Sequence, residues 1–334
     1  MNFWQSLKEK HKPIMVLAPM ADVTDPVFRR IIAKYGKPDV MWTEFVSADG
    51  LFLGGYDHLI KDLAFTDAER PIVAQFFSSK PEMMEKAAEL ACDLGFDGID
   101  INMGCPDKSI EKQGSGAAHI KAFKNAQEII FAAKRGAARG AKKNGKELPV
   151  SVKTRVGYNK VELDTWLPIL LETNPAVVTI HARTRKEMSA VPANWEYIKR
   201  AVEIRDGFVD SVGNKSQTLI FGNGDVIDLP DAEQKVKDTG CDGVMLGRAI
   251  FGNPWLFNKK ISKENVSIKN KLNIMVEHTK LFEELLSHKS FAIMKKHYKA
   301  YVTGWDGAKE LRMKLMEAKD AKEVGEIVTD YLTP

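Results

Sequence analysis

The sequence predicts an α/β protein, a (β/α)8 TIM barrel followed by a small C-terminal α-helical domain, and three observations carry that reading. Eight short apolar, β-rich runs recur along the chain up to Phe257, and amphipathic helical stretches separate them. After Trp255 only helical periodicity remains.

In chain order the strand candidates are Ile14–Ala18, Val40–Thr43, Ile72–Phe76, Gly98–Ile101, Val150–Lys153, Ala176–Ile180, Thr218–Phe221 and Gly243–Leu246. Helical stretches at Pro81–Leu94, Asn125–Gly140, Val161–Thr173, Trp195–Arg205 and Leu229–Thr239 each end near Gly, Asn or Pro, the residues that stop helices. Repeated strand–helix units imply parallel strands, because parallel neighbours need a crossover. Eight units close a barrel, whereas a doubly wound sheet has fewer strands and opens on G-x-G-x-x-G, which is absent here. Four further helices are read at IKNKLNIMVEHTKLFEELL, FAIMKKHYKAYV, AKELRMKLMEA and AKEVGEIVTDYL. The expected division is a barrel domain over residues 1–257 and a helical domain over 258–334, joined by a polar linker at Asn258–Asn265.

Of the 334 residues, 44% are hydrophobic and 28% charged, which excludes disorder and collagen-like repeats. No apolar run approaches the roughly 18 residues of a membrane span, and the start has no secretory h-region, so a cytoplasmic protein is expected. The net charge of +4 is unevenly placed. Lys259–Pro334 holds 15 of the 49 basic and 11 of the 45 acidic residues, so the remainder of the chain balances to zero. A basic appendage on a neutral body points either to a polyanionic partner or to a solvated helical face. Three cysteines without C-x-x-C spacing indicate neither a disulfide framework nor a thiolate metal site.

Barrel active sites lie at the C-terminal ends of the strands, so the residues just after each run form a ring. In order they are Pro19, Met20 and Ala21; Glu44; Gln75; Asn102 and Cys105; Lys153 and Arg155; His181 and Arg183; Gly222, Asn223, Gly224 and Asp225; and Gly247 with Arg248. The last two loops suit a phosphate, since glycines let backbone N–H groups approach an anion; the alternative is that they only make tight turns. A lone inward Lys153 calls for an anion, either a ligand or a carboxylate such as Glu44. His181 is a donor to the same ligand or a satisfied structural histidine. The Gln75 amide offers a donor and an acceptor to the edge of a planar heterocycle. Cys92 and Cys241 read as core residues, while Cys105, in a Gly-Cys-Pro turn before a G-S-G segment, reads as a proton donor or nucleophile.

Taken together, APMADVTD, TE at Glu44, the Gln75 strand end, INMGCP, GSGAA, VKTRVG, HARTR, GNGD and LGRAIFGNPWLF resemble the tRNA-dihydrouridine synthases from about Ile14 to Phe257, and more loosely through KKHYKAYV and KELRMKL. Dihydroorotate dehydrogenases share the Asn…Cys-Pro turn but not GSGAA, HARTR and the helical tail together. The resemblance implies an FMN enzyme that reduces the C5=C6 bond of uridines in tRNA, recharged by NADPH or NADH. By the same resemblance Pro19, Met20, Ala21, Gln75, Lys153, His181, Asn223, Gly224, Asp225, Gly247 and Arg248 hold FMN, the last five of them with its phosphate. Cys105 is then the catalytic proton donor and Asn102 orients the uracil, with Arg155 and Arg183 as further substrate contacts. Because a stacked base cannot reach a barrel mouth, the uridine must be turned out, and the tail would grip the tRNA through Lys295, Lys296, Lys299, Lys309, Arg312 and Lys314. Two departures concern substrate contact near Cys105 and near Met188–Asn194: His119-Ile120 stands where the family has an apolar pair, and KEMSAVPANW after HARTR stands where it has a Tyr-Gly pair ahead of an Ala-x-Trp-like stretch. An FMN reductase of a free pyrimidine or enone and a non-catalytic tRNA-binding protein are the alternatives.

Overall fold

The computed structural model describes residues 2–10, 12–261 and 265–333. Eight parallel strands, β1 (Ile14–Leu17), β2 (Met41–Ser47), β3 (Ile72–Phe77), β4 (Gly98–Met103), β5 (Val150–Arg155), β6 (Val177–His181), β7 (Leu219–Asn223) and β8 (Gly243–Leu246), run in the order β1-β8-β7-β6-β5-β4-β3-β2. Val16 bridges Val40 and the Leu17 N–H donates to the Val40 carbonyl at 3.3 Å, which brings the two end strands together. The expected strands are all present. β2 differs most, running on to Ser47 through an irregularity between Trp42 and Phe45, so that Glu44 lies inside the strand rather than just after it.

Period-two alternation separates two apolar layers. Ile14, Val16, Val40, Trp42, Val73, Val177, Leu219, Phe221 and Met245 fill the barrel interior. Their neighbours Met15, Leu17, Ile72, Ile99, Ile101, Val152, Val178, Ile180, Ile220, Val244 and Leu246 face the helices outside. A helix the sequence reading passed over, Phe3–Lys8, closes the bottom of the barrel: its Trp4 packs 5.7 Å from the Trp42 ring and edge-on to Phe221 at 5.5 Å. Because the bottom is packed, the polar inward residues cluster at the opposite end.

The connecting helices form where the sequence signals them. In Leu229–Thr239 the Asp228 carboxylate accepts from the Asp231 N–H, Pro230 sits in the first turn, and Gly240 ends the helix at φ +71°. Cys92 and Cys241 are buried, as expected. The tail forms helices Ile268–Leu285, Met294–Tyr301, Ala308–Glu317 and Ala321–Leu332. Within the expected linker Asn258–Asn265, residues Ser262, Lys263 and Glu264 lie outside the described residues. No helix among the described residues is long and apolar enough to cross a membrane.

The tail packs on the barrel helix Pro26–Tyr35. Phe28 stacks on His278 at 4.9 Å and meets His297 edge-on at 4.8 Å, while Lys34 and Tyr35 both donate to Glu277. From the same helix Arg29, fully buried, donates to Glu69 and to the Thr24 and Ala64 carbonyls at 2.6–2.8 Å. An Arg29→Met variant should lose about 3–5 kcal/mol of stability, because Glu69 would be left as a buried charge without its cation. Urea unfolding followed by tryptophan fluorescence measures the loss.

Candidate active site

Strand register assembles the site. Gln75 pairs with Asp100, Asn102 with Lys153, Arg155 with His181, His181 with Asn223, and Asn223 with Met245. Since Ile99, Ile101 and Val152 face outward, the intervening Asp100, Asn102, Ser151, Lys153 and Arg155 face the barrel interior. One ring of polar side chains therefore lines the C-terminal mouth.

At its base Asp100 accepts from Ser151 Oγ at 2.5 Å and from Gln75 Nε2 at 2.6 Å. Burial raises its carboxyl to about 6 despite those bonds. Above it Lys153 donates to Asn223 Oδ1 at 3.4 Å and makes no ion pair among the described residues. Burial, reinforced by Arg155, lowers its ammonium to about 8. Glu44 is not its partner, since that carboxylate is taken by Lys289. Gln75 is fully buried, and its Oε1 also accepts from Asn102 Nδ2 at 3.3 Å.

Asn102 shapes the turn that presents Cys105, because its Oδ1 accepts the Gly104 and Cys105 N–H groups at 3.1 and 2.9 Å. Cys105 is half-buried, and burial pushes its thiol up from the usual value although Lys153 and Arg155 pull it down. The GSG segment buttresses the turn: the Ala117 N–H donates to the Cys105 carbonyl, and a Cβ on Gly116, at φ +61°, would stand 2.7 Å from that oxygen. His119 is buried with Nε2 3.1 Å from the Ser78 carbonyl, and burial lowers it to about 4. The first departure therefore introduces a neutral tether near neutral pH.

The two arginines expected to touch substrate have most of their donors committed to the protein. Arg155 donates from Nε to the Gly104 carbonyl at 2.7 Å and from Nη1 to the Thr184 and Met188 carbonyls. Arg183 donates to the Val191 carbonyl, to Asp225 and to His181 Nε2. An arginine only donates, so His181 Nε2 accepts and its proton lies on Nδ1. Burial and three neighbouring cations lower that imidazole to about 2. The Met188–Asn194 departure is thus pinned by its backbone, with the Ala193 N–H also donating to Asp225.

At the loops after β7 and β8, Asp225 pairs with Arg183 and Arg248, which holds its carboxyl down at about 2. Gly224 has φ +125°, a conformation disfavoured for L-residues. A Cβ on Gly247 would meet Ala18 Cβ at 3.6 Å and Met20 Sδ at 3.7 Å, so the loops after β1 and β8 adjoin. Pro19 and Met20 are half-buried and Ala21 exposed beside them.

On the tail, Lys299, Lys309 and Lys314 are exposed and Lys295 and Lys296 half-buried, while Arg312 donates to the Val302 carbonyl at 2.8 Å. The sequence reading missed Asp100, whose two-residue spacing from Asn102 in a strand was a usable signal. It also missed the Arg185–Glu111 pair that ties the HARTR loop to the helix after Cys105. Among the described residues no cluster of His, Cys, Asp or Glu could hold a metal.

Similar solved structures include a 6-hydroxypseudooxynicotine amine oxidase from Pseudomonas geniculata N1 (TM-score 0.52, 12% identity, 74% of this chain and 46% of that one) and a histamine dehydrogenase from Rhizobium sp. 4-9 (0.51, 12%, 82% and 48%). At that identity they attest the fold alone. A probable tRNA-dihydrouridine synthase of Staphylococcus epidermidis is 37% identical, and a probable tRNA-dihydrouridine synthase 2 of Bacillus subtilis 39% identical, each over 99% of this chain and 96% of the relative. With the family model for dihydrouridine synthase matching residues 16–333, the chain belongs to the dihydrouridine synthase family of oxidoreductases.

Proposed function

We propose that this chain is a tRNA-dihydrouridine synthase that reduces the C5=C6 bond of uridines in tRNA with FMN and NADPH or NADH, Cys105 serving as proton donor. The observation that carries the reading is a half-buried thiol above Lys153, a half-buried ammonium with no ion-pair partner among the described residues. Such a cation is stabilised by an electron-rich ligand in the mouth. FMN fits this donor set: an inward amine and amides for a heterocycle, and two glycine-bearing loops with Arg248 for a phosphate. Pro19, Met20, Ala21, Gln75, Lys153 and His181 would hold the ring system, and Asn223, Gly224, Asp225, Gly247 and Arg248 the phosphate side. Within that group Asp225 acts by aiming Arg248, since a carboxylate repels phosphate.

When bound, FMN supplies hydride exchange between the nicotinamide and C6 of the uracil. The chain's own part is the proton. Burial keeps the Cys105 thiol protonated near neutral pH, so it can donate to C5, and the thiolate left behind is stabilised by Lys153 and Arg155. Asn102, holding the Cys105 turn from within, fixes where that proton is offered. The division at Phe257 assigns chemistry to residues 1–257 and RNA grip to 258–334, where Lys295, Lys296, Lys299, Lys309, Arg312 and Lys314 face phosphates. A uridine unstacked from the tRNA then enters the mouth.

The test is a visible spectrum of purified protein followed by incubation with unmodified tRNA and NADPH. A yellow protein making dihydrouridine only with tRNA supports the reading; turnover of a free pyrimidine without RNA, or a colourless protein that cannot be reconstituted with FMN, overturns it. A Cys105→Ala variant should keep flavin and air-driven NADPH oxidation while losing uridine reduction about 100-fold or more, read by dihydrouridine assay. Because Lys153 is charged below about 8 and neutral above, FMN affinity of the apoprotein should fall about tenfold between pH 7 and pH 9, and a Lys153→Met variant should flatten that profile. Replacing Lys295 and Lys299 by alanine should reduce the slope of log affinity for tRNA against log salt by about 0.7–0.9 per lost phosphate contact, measured by filter binding.

A further inference from the structure

One lysine of the basic tail points inward. Lys289, in the segment between helices Ile268–Leu285 and Met294–Tyr301, has a side chain only 11% exposed. Its ammonium lies 3.1 Å from Glu44 and 2.7 Å from Asp62, both carboxylates largely buried. Glu44 belongs to β2, so this ion pair crosses from tail to barrel.

The other Glu44 oxygen reaches further. It accepts the backbone N–H of Asp22 at 2.5 Å, and Asp22 directly follows Pro19, Met20 and Ala21. Asp22 has φ +52°, a left-handed conformation that a non-glycine residue keeps only when its surroundings enforce it. Two further bonds close the same turn, from the Met20 N–H to Thr24 Oγ1 and from the Thr24 N–H to the Met20 carbonyl. Lys289, Glu44 and Asp22 therefore form a continuous chain from the tail, through a strand, to the loop at the mouth.

An ionised Glu44 is needed at the centre of that chain. A buried carboxylate without its cation takes up a proton or turns toward water, and either change weakens its hold on an N–H donor. Burial raises the Glu44 carboxyl, with Asp25 and Asp62 adding to that, and Lys289 is the group that pulls it down, which makes the cation necessary.

We propose that Lys289 is a positioning residue: by holding Glu44 ionised and aimed at Asp22, the docked tail sets the shape of the Pro19–Asp22 loop and so prepares the flavin wall of the barrel mouth. The link to flavin rests on the proposed function above; the link to the loop does not. Tail docking and flavin retention are then coupled, and the tail acts on the chemistry as well as on the RNA.

The test uses the full chain, with amide hydrogen exchange of the ligand-free protein and FMN titration of the apoprotein by flavin fluorescence. In Lys289→Met, exchange at the Asp22 amide should quicken and FMN binding weaken, each about tenfold or more, with the rest of the barrel unchanged. Lys289→Arg should restore both to near parental values, since it returns the cation. Parental exchange and affinity in Lys289→Met, or faster exchange spread evenly over the barrel, would overturn the proposal. Should Lys289→Met fail to fold, Glu44→Gln carries the same test: it keeps the Lys289–Asp62 pair but removes the charged acceptor, and parental values there overturn the coupling. If the unaltered chain takes up no FMN, the flavin reading falls while the exchange measurement still decides whether Lys289 holds the loop.

Discussion

The parallel register of the eight strands is the constraint on which the site depends. Each strand is short, and a shift of one residue between neighbours would turn every inward side chain outward. With Asn102 opposite Lys153, and Arg155, His181 and Asn223 in successive register, residues separated by more than a hundred positions in the chain share one rim. The apolar layer below, closed by Trp4 against Trp42 and Phe221, leaves the mouth as the end where polar groups can gather. Packing at the bottom and chemistry at the top are two consequences of one register.

Part of the buried charge in this protein is paired within the fold. Arg29 with Glu69, and Lys289 with Glu44 and Asp62, are compensated inside the fold. Lys153, half-buried at the mouth, has no carboxylate partner among the described residues and only an amide oxygen at 3.4 Å, so under the proposed function it stands where a ligand would complete it. His181 shows the complementary case: surrounded by Lys153, Arg155 and Arg183, it stays neutral and offers Nδ1–H. Under the proposed function, cations set beneath a protonated thiol suit the site to an electron-rich ring and to the release of one proton.

Arg155 and Arg183 change meaning once their partners are known. By resemblance they read as substrate contacts; in the fold Arg155 donates to three main-chain carbonyls of the loops that frame the mouth, and Arg183 to the Val191 carbonyl, Asp225 and His181. These bonds hold the Cys105 turn and the Met188–Asn194 segment in place. The same holds for Asn102 toward Cys105. Much of the polar ring is thus framework that orients a smaller number of groups free to meet a ligand.

Local pattern alone was enough for the eight strands, most of the long helices, the four tail helices and the ring of strand-end residues, because alternation, helical periodicity and capping residues are short-range properties. The family resemblance was legible for the same reason, resting on contiguous motifs such as INMGCP and HARTR. Tertiary structure decided the partnerships: that Glu44 belongs to Lys289 rather than Lys153, that Asp100 lies beneath the amine, and that His119 is a neutral tether. Such pairings join residues up to 245 positions apart. They depend on which faces the closed barrel and docked tail bring within about 3 Å, and no local spacing records that distance.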